Sequence, residues 1–243
     1  MNNFQDQGII VNVRAHGESG AIASVLTENQ GKWNGYVNGG RSSSRLRALL
    51  QMGQNVQVEW QSKAEGQLGR FDLDGDANIT AKIMHDQGAL LAVQSACSLI
   101  DRFLPEGEGH SGLYHGTVAL IDIMGGDKWA PAYIMWEMAF LKELGYGIDL
   151  SKCAVTGVVE NLTHVSPKSG RAVCCEEAEP YAHKLLEIPD FLQGKELKQD
   201  DIEKGLELTG YFLIHRLLQQ SSYQTLPDAR MSLENMFNPS KIT

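Results

Sequence analysis

Cys153, Cys174 and Cys175 are the residues of this chain best equipped for metal or covalent chemistry, and their spacing can be tested against both. A structural zinc site draws four ligands into a tetrahedron, commonly from two Cys-x2-Cys pairs. In Cys153-Ala-Val-Thr-Gly157 the second place of the first pair is Thr156, and Cys174 and Cys175 are adjacent. His164 and His183 stand at no ligand-like spacing, so the pattern argues against bound zinc and no cofactor is expected. A nucleophilic cysteine needs a lowered pKa and a positioned base; a hydrolase built on Cys174-Cys175 and His164 is therefore kept as a rival reading. Cys97, inside the apolar run LLAVQSACSLI, reads as a small buried hydrophobe.

Other chemical signatures are missing. There is no G-x-S-x-G elbow, P-loop, H-E-x-x-H or paired-glycine dinucleotide fingerprint. His110 and His115 are five apart, a poor spacing for two ligands on one helix face. Asp72, Asp74 and Asp76 resemble the opening of a calcium loop, but its sixth and twelfth places hold Ala77 and Ile83 instead of glycine and glutamate. That stretch reads as a solvated acidic turn. No catalytic residue is expected, and the protein is not expected to be an enzyme.

The strongest binding signal is NGGRSSSRLRALLQMG (38–53), which places Arg41, Arg45 and Arg47 within seven residues of a chain whose formal net charge is −9. Residues 1–70 hold seven Lys/Arg against five Asp/Glu, leaving fourteen against twenty-five for the rest. Phosphates are held by Lys/Arg charge and backbone N–H groups, and glycine and serine let a strand approach closely. Lys32 adds charge just before this turn, and Trp33 or Tyr36 could offer a stacking face to a base. The competing reading is a solvated loop with core aromatics.

These residues sit on two kinds of element. GIIVNV (8–13), AIASVLT (21–27), KWNGYV (32–37), NVQVEWQ (55–61) and LGRFDL (68–73) read as five short strands separated by glycine turns, enough for a small closed barrel. From residue 86 the apolar period becomes helical: Leu90, Val93, Cys97, Ile100 and Leu104 recur at steps of three and four. Further helices are expected at 111–124, from Pro131 to Leu144, at 176–187 and at 200–219. In the last, Ile202, Leu206, Thr209, Leu213 and Leu217 form the inward stripe. The stretch 147–175 reads as an irregular, cysteine-bearing insert. The expected fold is α+β: a barrel domain over 1–80 and a mainly helical domain over 81–243, with the seam at 72–86.

Apolar residues at 42% and charged residues at 21% fit a folded globular chain. The N-terminal MNNFQDQGIIVNV lacks the features of a secretory signal, and no apolar run approaches a membrane span, so the expected location is the cytoplasm, with no membrane partner.

Three blocks together resemble the bacterial recombination mediator RecO family: Arg14-Ala-His-Gly-Glu-Ser19, GGRSSSRLRALLQMG, and FLKELGYGIDLSKCAVTG with SPKSGRAVCC after it. Their order and spacing fit from residue 4 to about 237. The resemblance implies an N-terminal five-stranded OB-fold barrel and a helical C-terminal domain. It also implies a protein that binds single- and double-stranded DNA and anneals complementary strands. Its implied partners are RecR, the C-terminal tail of single-strand-binding protein and, indirectly, RecA; the alternative is a protein–protein adaptor without intrinsic DNA binding. On this basis Arg41 and Arg45 are the first expected phosphate contacts, with Arg47, Lys32 and Arg14 behind them. Met135 and Trp136 mark an expected partner pocket, with Arg102, Lys128 or Lys142 as the candidates for its carboxylate anchor. The family's four-cysteine insert is not reproduced here, because of Thr156 and the adjoining Cys174-Cys175.

Overall fold

The computed structural model describes residues 2–64 and 66–238. Strands β1 (Asn2–His16), β2 (Gly20–Thr27), β3 (Gly31–Val37), β4 (Asn55–Ser62) and β5 (Gly69–Asp74) close a barrel in the order β1-β2-β3-β5-β4, with α1 (Ser44–Leu49) between β3 and β4. This is the five-stranded Greek-key barrel of the OB-fold. Its core gathers Ile10, Val25, Val37, Val56, Val58, Trp60, Phe71 and Leu73. In β4, Val56, Val58 and Trp60 point inward in strict alternation, as the sequence pattern predicts.

Closure depends on two glycines. The parallel pairing of β3 with β5 runs through Gly35↔Gly69 and Tyr36↔Arg70. A Cβ on Gly35 would lie 2.4 Å from the Phe71 ring, and one on Gly69 would lie 2.2 Å from the Trp60 ring. The two core aromatics thus fold over bare backbone where the barrel shuts.

β1 is much longer than the expected 8–13. Its first half pairs with β4, from Asn2↔Ser62 to Ile9↔Asn55, and its second half pairs with β2, from Gly8↔Thr27 to His16↔Gly20, with a register shift between Ile10 and Asn12. The polar start NNFQDQ shows no apolar alternation, so only its partner strand reveals it as β-structure. The basic segment also differs from the expected turn, since part of it is helical. Ser43 caps α1 by accepting from the Leu46 N–H (3.3 Å), while Leu49 and Leu50 enter the barrel core and Leu46 packs on it. Ser43→Ala should cost about 1 kcal/mol, read from urea unfolding of the whole chain.

Helices α2 (Ile79–Ile83), α3 (Gln87–Phe103) and α4 (Ser111–Asp122) follow. The Asp86 carboxylate caps α3 by accepting from the Ala89 N–H at 3.0 Å. Val93, Ala96, Cys97, Leu99 and Ile100 are buried, whereas Leu90, placed on the same stripe by spacing, remains 37% exposed. α3 is tied to β1: Asn12 Nδ2 donates to Asp101 Oδ2 (2.7 Å), and Cys97 Sγ lies 3.7 Å from the Ile10 carbonyl. Burial pushes the Cys97 thiol up to about 12, as befits a packed hydrophobe. The first compact unit accordingly runs to Trp129 and includes Pro227–Arg230, well past the compositional seam at 72–86.

The second unit comprises Ala130–Leu226 and the chain from Met231. Within α5 (Trp129–Glu143), Ile134, Trp136, Phe140 and Leu141 are buried, and Trp136 stacks on Phe140 with centroids 5.3 Å apart. The stretch expected to be irregular holds two strands, β6 (Leu162–Val165) and β7 (Ala172–Cys174). With β8 (Leu186–Glu187) they form a sheet in the order β7-β6-β8. The helix expected at 176–187 is cut short. α6 (Cys175–Ala178) tightens into a 3-10 segment at Glu179-Pro180, and Leu186–Glu187 pairs with β6 instead.

α7 (Asp201–Phe212) continues as a π-turn over Leu213–Leu217, and the expected stripe from Ile202 to Leu217 is buried. α8 (Asp228–Phe237) comes last. No helix among the described residues is long and apolar enough to cross a membrane.

Candidate nucleic-acid interface

The segment between β3 and α1 is stitched to the β1–β2 turn. The Arg41 N–H donates to the Ser19 carbonyl (2.8 Å), and Arg41 Nη1 donates to the Gly17 carbonyl (3.3 Å). The β1–β2 loop of an OB-fold is one of its usual nucleic-acid-binding loops. Beside it lies a shallow cleft of about 250 Å³, floored by Val13, Ala15, Ala21 and Leu50 and flanked by Arg41, Arg47 and Gln51. Both arginines are exposed, and neither has a carboxylate partner among the described residues. Leu46, Leu49 and Leu50 anchor α1 in the core, and the helical period turns Arg47 outward.

The other expected phosphate contacts fare differently. Arg45 is exposed but pairs with Asp74 on β5. Such an exposed pair is worth about 0–1 kcal/mol, so a phosphate can compete for this guanidinium. Asp74→Asn should therefore leave stability within about 0.5 kcal/mol and raise single-stranded DNA affinity two- to threefold at low salt, roughly 0.5 kcal/mol, measured by fluorescence anisotropy. Arg14 is exposed on β1, but strand alternation sends it to the opposite face from Val13 and Ala15.

Lys32 must be withdrawn from the set. It is buried with Nζ donating to the Asp101 carbonyl, and Asn34 beside it donates to Glu106. Burial holds its ammonium below the usual lysine range, against the opposing pull of Asp101 and Glu106. A lysine serving the interior cannot be told from a surface one by its place after a glycine.

Of the aromatics, Trp33 belongs to the barrel wall: it packs at 4.5 Å from Trp60 and 5.8 Å from Phe4, ring to ring, and its Nε1 donates to the Gln30 carbonyl (2.8 Å). Tyr36 is half-buried beside the exposed His16, with centroids 5.7 Å apart. A different part of the barrel is acidic. Asp6, Glu59, Asp72 and Asp74, with Gln5, Gln7 and Gln57, line a groove of about 550 Å³ across β1, β4 and β5. Sequence reading did not foresee this groove, because its carboxylates come from three distant strands.

The expected partner pocket is not assembled as foreseen. Trp136 is part of the helical core and cannot present its ring to a ligand, while Met135 next to it is 59% exposed. Lys142 is exposed near the end of α5, and Arg102 belongs to the other compact unit. Among the described residues no group of three or more His, Cys, Asp or Glu side chains is placed to hold a metal ion.

Two family models cover nearly the whole chain: Recombination protein O N terminal over residues 1–73 and Recombination protein O C terminal over residues 84–222. The chain belongs to the RecO family. It is 39% identical over 242 residues to a DNA repair protein RecO of Hyphomonas neptunium, covering 98% of this chain and 99% of the relative. A protein of the same description from Jannaschia sp. is 38% identical, covering 95% and 94%, and one from Rhodospirillum centenum is 37% identical, covering 99% and 96%. The RecO family models part at residues 73 and 84, near the end of the barrel, whereas compactness divides this chain at Trp129.

Proposed function

We propose that this RecO-family chain is a DNA-binding mediator of recombinational repair. It holds single-stranded DNA on the Arg41–Arg47 side of its OB barrel and brings complementary strands together. With RecR it helps load RecA onto strands coated by single-strand-binding protein. The observation that carries the reading is the pair of exposed arginines, without carboxylate partners among the described residues, flanking one apolar-floored cleft beside the β1–β2 turn. Arginine charge supplies affinity for the phosphate backbone without reading sequence, as strand annealing requires. The acidic groove across β1, β4 and β5 disfavours indiscriminate wrapping. The work proposed is electrostatic and geometric, so no catalytic residue is assigned. Its setting is the cytoplasm.

The test is annealing of complementary oligonucleotides, with and without the cognate single-strand-binding protein. Acceleration in both arms supports the reading. A stoichiometric RecR complex without DNA affinity or annealing would replace it with a pure adaptor.

A further inference from the structure

The insert between α5 and α6 carries a cysteine pair that DNA binding does not use. Cys153 opens a tight knuckle: its N–H donates to the Val158 carbonyl (2.7 Å), and its own carbonyl accepts from the N–H of Gly157 (3.0 Å), which adopts φ +79°. The Ala154 N–H donates to the Ala172 carbonyl at 2.7 Å, which lays the knuckle against β7. This brings Cys153 to Cys174, twenty-one positions along the chain. The Cys174 N–H donates to Cys153 Sγ (3.4 Å), and Thr156 Oγ1 lies 3.7 Å from Cys174 Sγ.

The Thr156 hydroxyl also hydrogen-bonds to Cys153, so one hydroxyl serves both sulfurs. Cys153 and Cys174 are free thiols. Both are buried, yet residues 155–160 of the knuckle are all exposed, as is Cys175.

We propose that Cys153 and Cys174 are an oxidisable dithiol, a modification site at which a hydroperoxide closes an intramolecular disulfide across the knuckle. Cys153 is the attacking sulfur. Burial opposes its ionisation, but the Thr156 hydroxyl and the N–H groups of Thr156, Cys174 and Val155 outweigh that and hold the thiol at about 6. Thiolates, not thiols, attack peroxides and disulfides.

The Cys153 thiolate attacks one peroxide oxygen, the O–O bond breaks, and the departing hydroxide takes up a proton. The resulting sulfenic acid is attacked by the Cys174 sulfur, the S–O bond breaks, and water leaves with the Cys174 proton. Two thiols and one hydrogen peroxide become one disulfide and two waters. Cys97, packed in the other unit with its thiol held protonated, does not compete.

The full chain, dialysed against chelator, would be treated with hydrogen peroxide, blocked with iodoacetamide and mapped by tryptic mass spectrometry without reductant. The expected product is a dithiothreitol-reversible link between peptides 153–168 and 172–184. It should form equally in Cys175→Ser, which assigns the bond to Cys174. Thr156→Val should slow its formation about tenfold, since it removes a donor to the attacking sulfur. Linkage lost in Cys175→Ser, a disulfide between two copies, oxidation confined to Cys175, or an unchanged rate in Thr156→Val would each overturn the assignment.

Discussion

Replacing Arg41 and Arg47 together by alanine is expected to weaken single-stranded DNA binding about a hundredfold at low salt. A charge-assisted hydrogen bond contributes roughly 1.5 kcal/mol or more, and the two guanidinium groups flank one cleft with no carboxylate in competition among the described residues. The salt dependence sharpens the test. Each phosphate neutralised on a single strand contributes about −0.7 to the log–log slope, so losing two contacts should flatten that slope by about 1.4. Both side chains are exposed, so folding should be unaffected within about 0.5 kcal/mol. Anisotropy across a salt titration, with a thermal melt as control, reads all three quantities. Arg45→Ala alone should change much less, because Asp74 already satisfies that guanidinium. An unchanged slope in a folded double variant would move the main DNA contact off the barrel.

Gly31→Ala should destabilise the chain by about 3 kcal/mol, through two independent causes. Gly31 has φ +79°, a conformation that costs an L-residue roughly 1–2 kcal/mol. Its added Cβ would also fall 1.8 Å from the Glu108 carbonyl oxygen, and overpacking of this kind costs about 1–3 kcal/mol. The offended atom is backbone, so no side chain can swing away. The segment displaced is the one that covers the start of β3, where the Gly107 N–H donates to the Lys32 carbonyl (3.0 Å) and Asn34 reaches Glu106. Urea unfolding measures the loss. A cost below about 1 kcal/mol would show that residues 106–108 yield freely.

The barrel was legible because its inward faces obey a period of two, most plainly in Val56, Val58 and Trp60. The Ile202-to-Leu217 stripe was legible for the same kind of reason at helical period. What escaped was structure specified by partners instead of pattern. The start of β1 is polar and is β only because β4 lies beside it. The 176–187 stretch has helical composition, yet Pro180 and pairing to β6 divert it.

The site shows the same division. Clustering in sequence found Arg41, Arg45 and Arg47, but only the fold separates them. Arg41 and Arg47 flank a cleft, and Arg45 faces Asp74 across 29 positions of chain. Lys32 and Trp136 were misplaced because adjacency to surface residues says nothing about which way a side chain points.

The acidic groove meets β1 at residues 5–7 and the arginine cleft meets it at residues 13 and 15. Eight strand residues span about 25 Å, so along β1 the groove's Asp6 and the arginine cleft form two separate poles, even though Asp74 at the groove's other edge pairs with Arg45. A polyanion drifting toward the barrel feels a torque before any contact forms, and collisions that begin at the wrong end are rotated instead of wasted. The benefit is kinetic: capture speeds up at low ionic strength, and it fades once the Debye length, about 10 Å at 0.1 M salt, is shorter than the distance between the two poles.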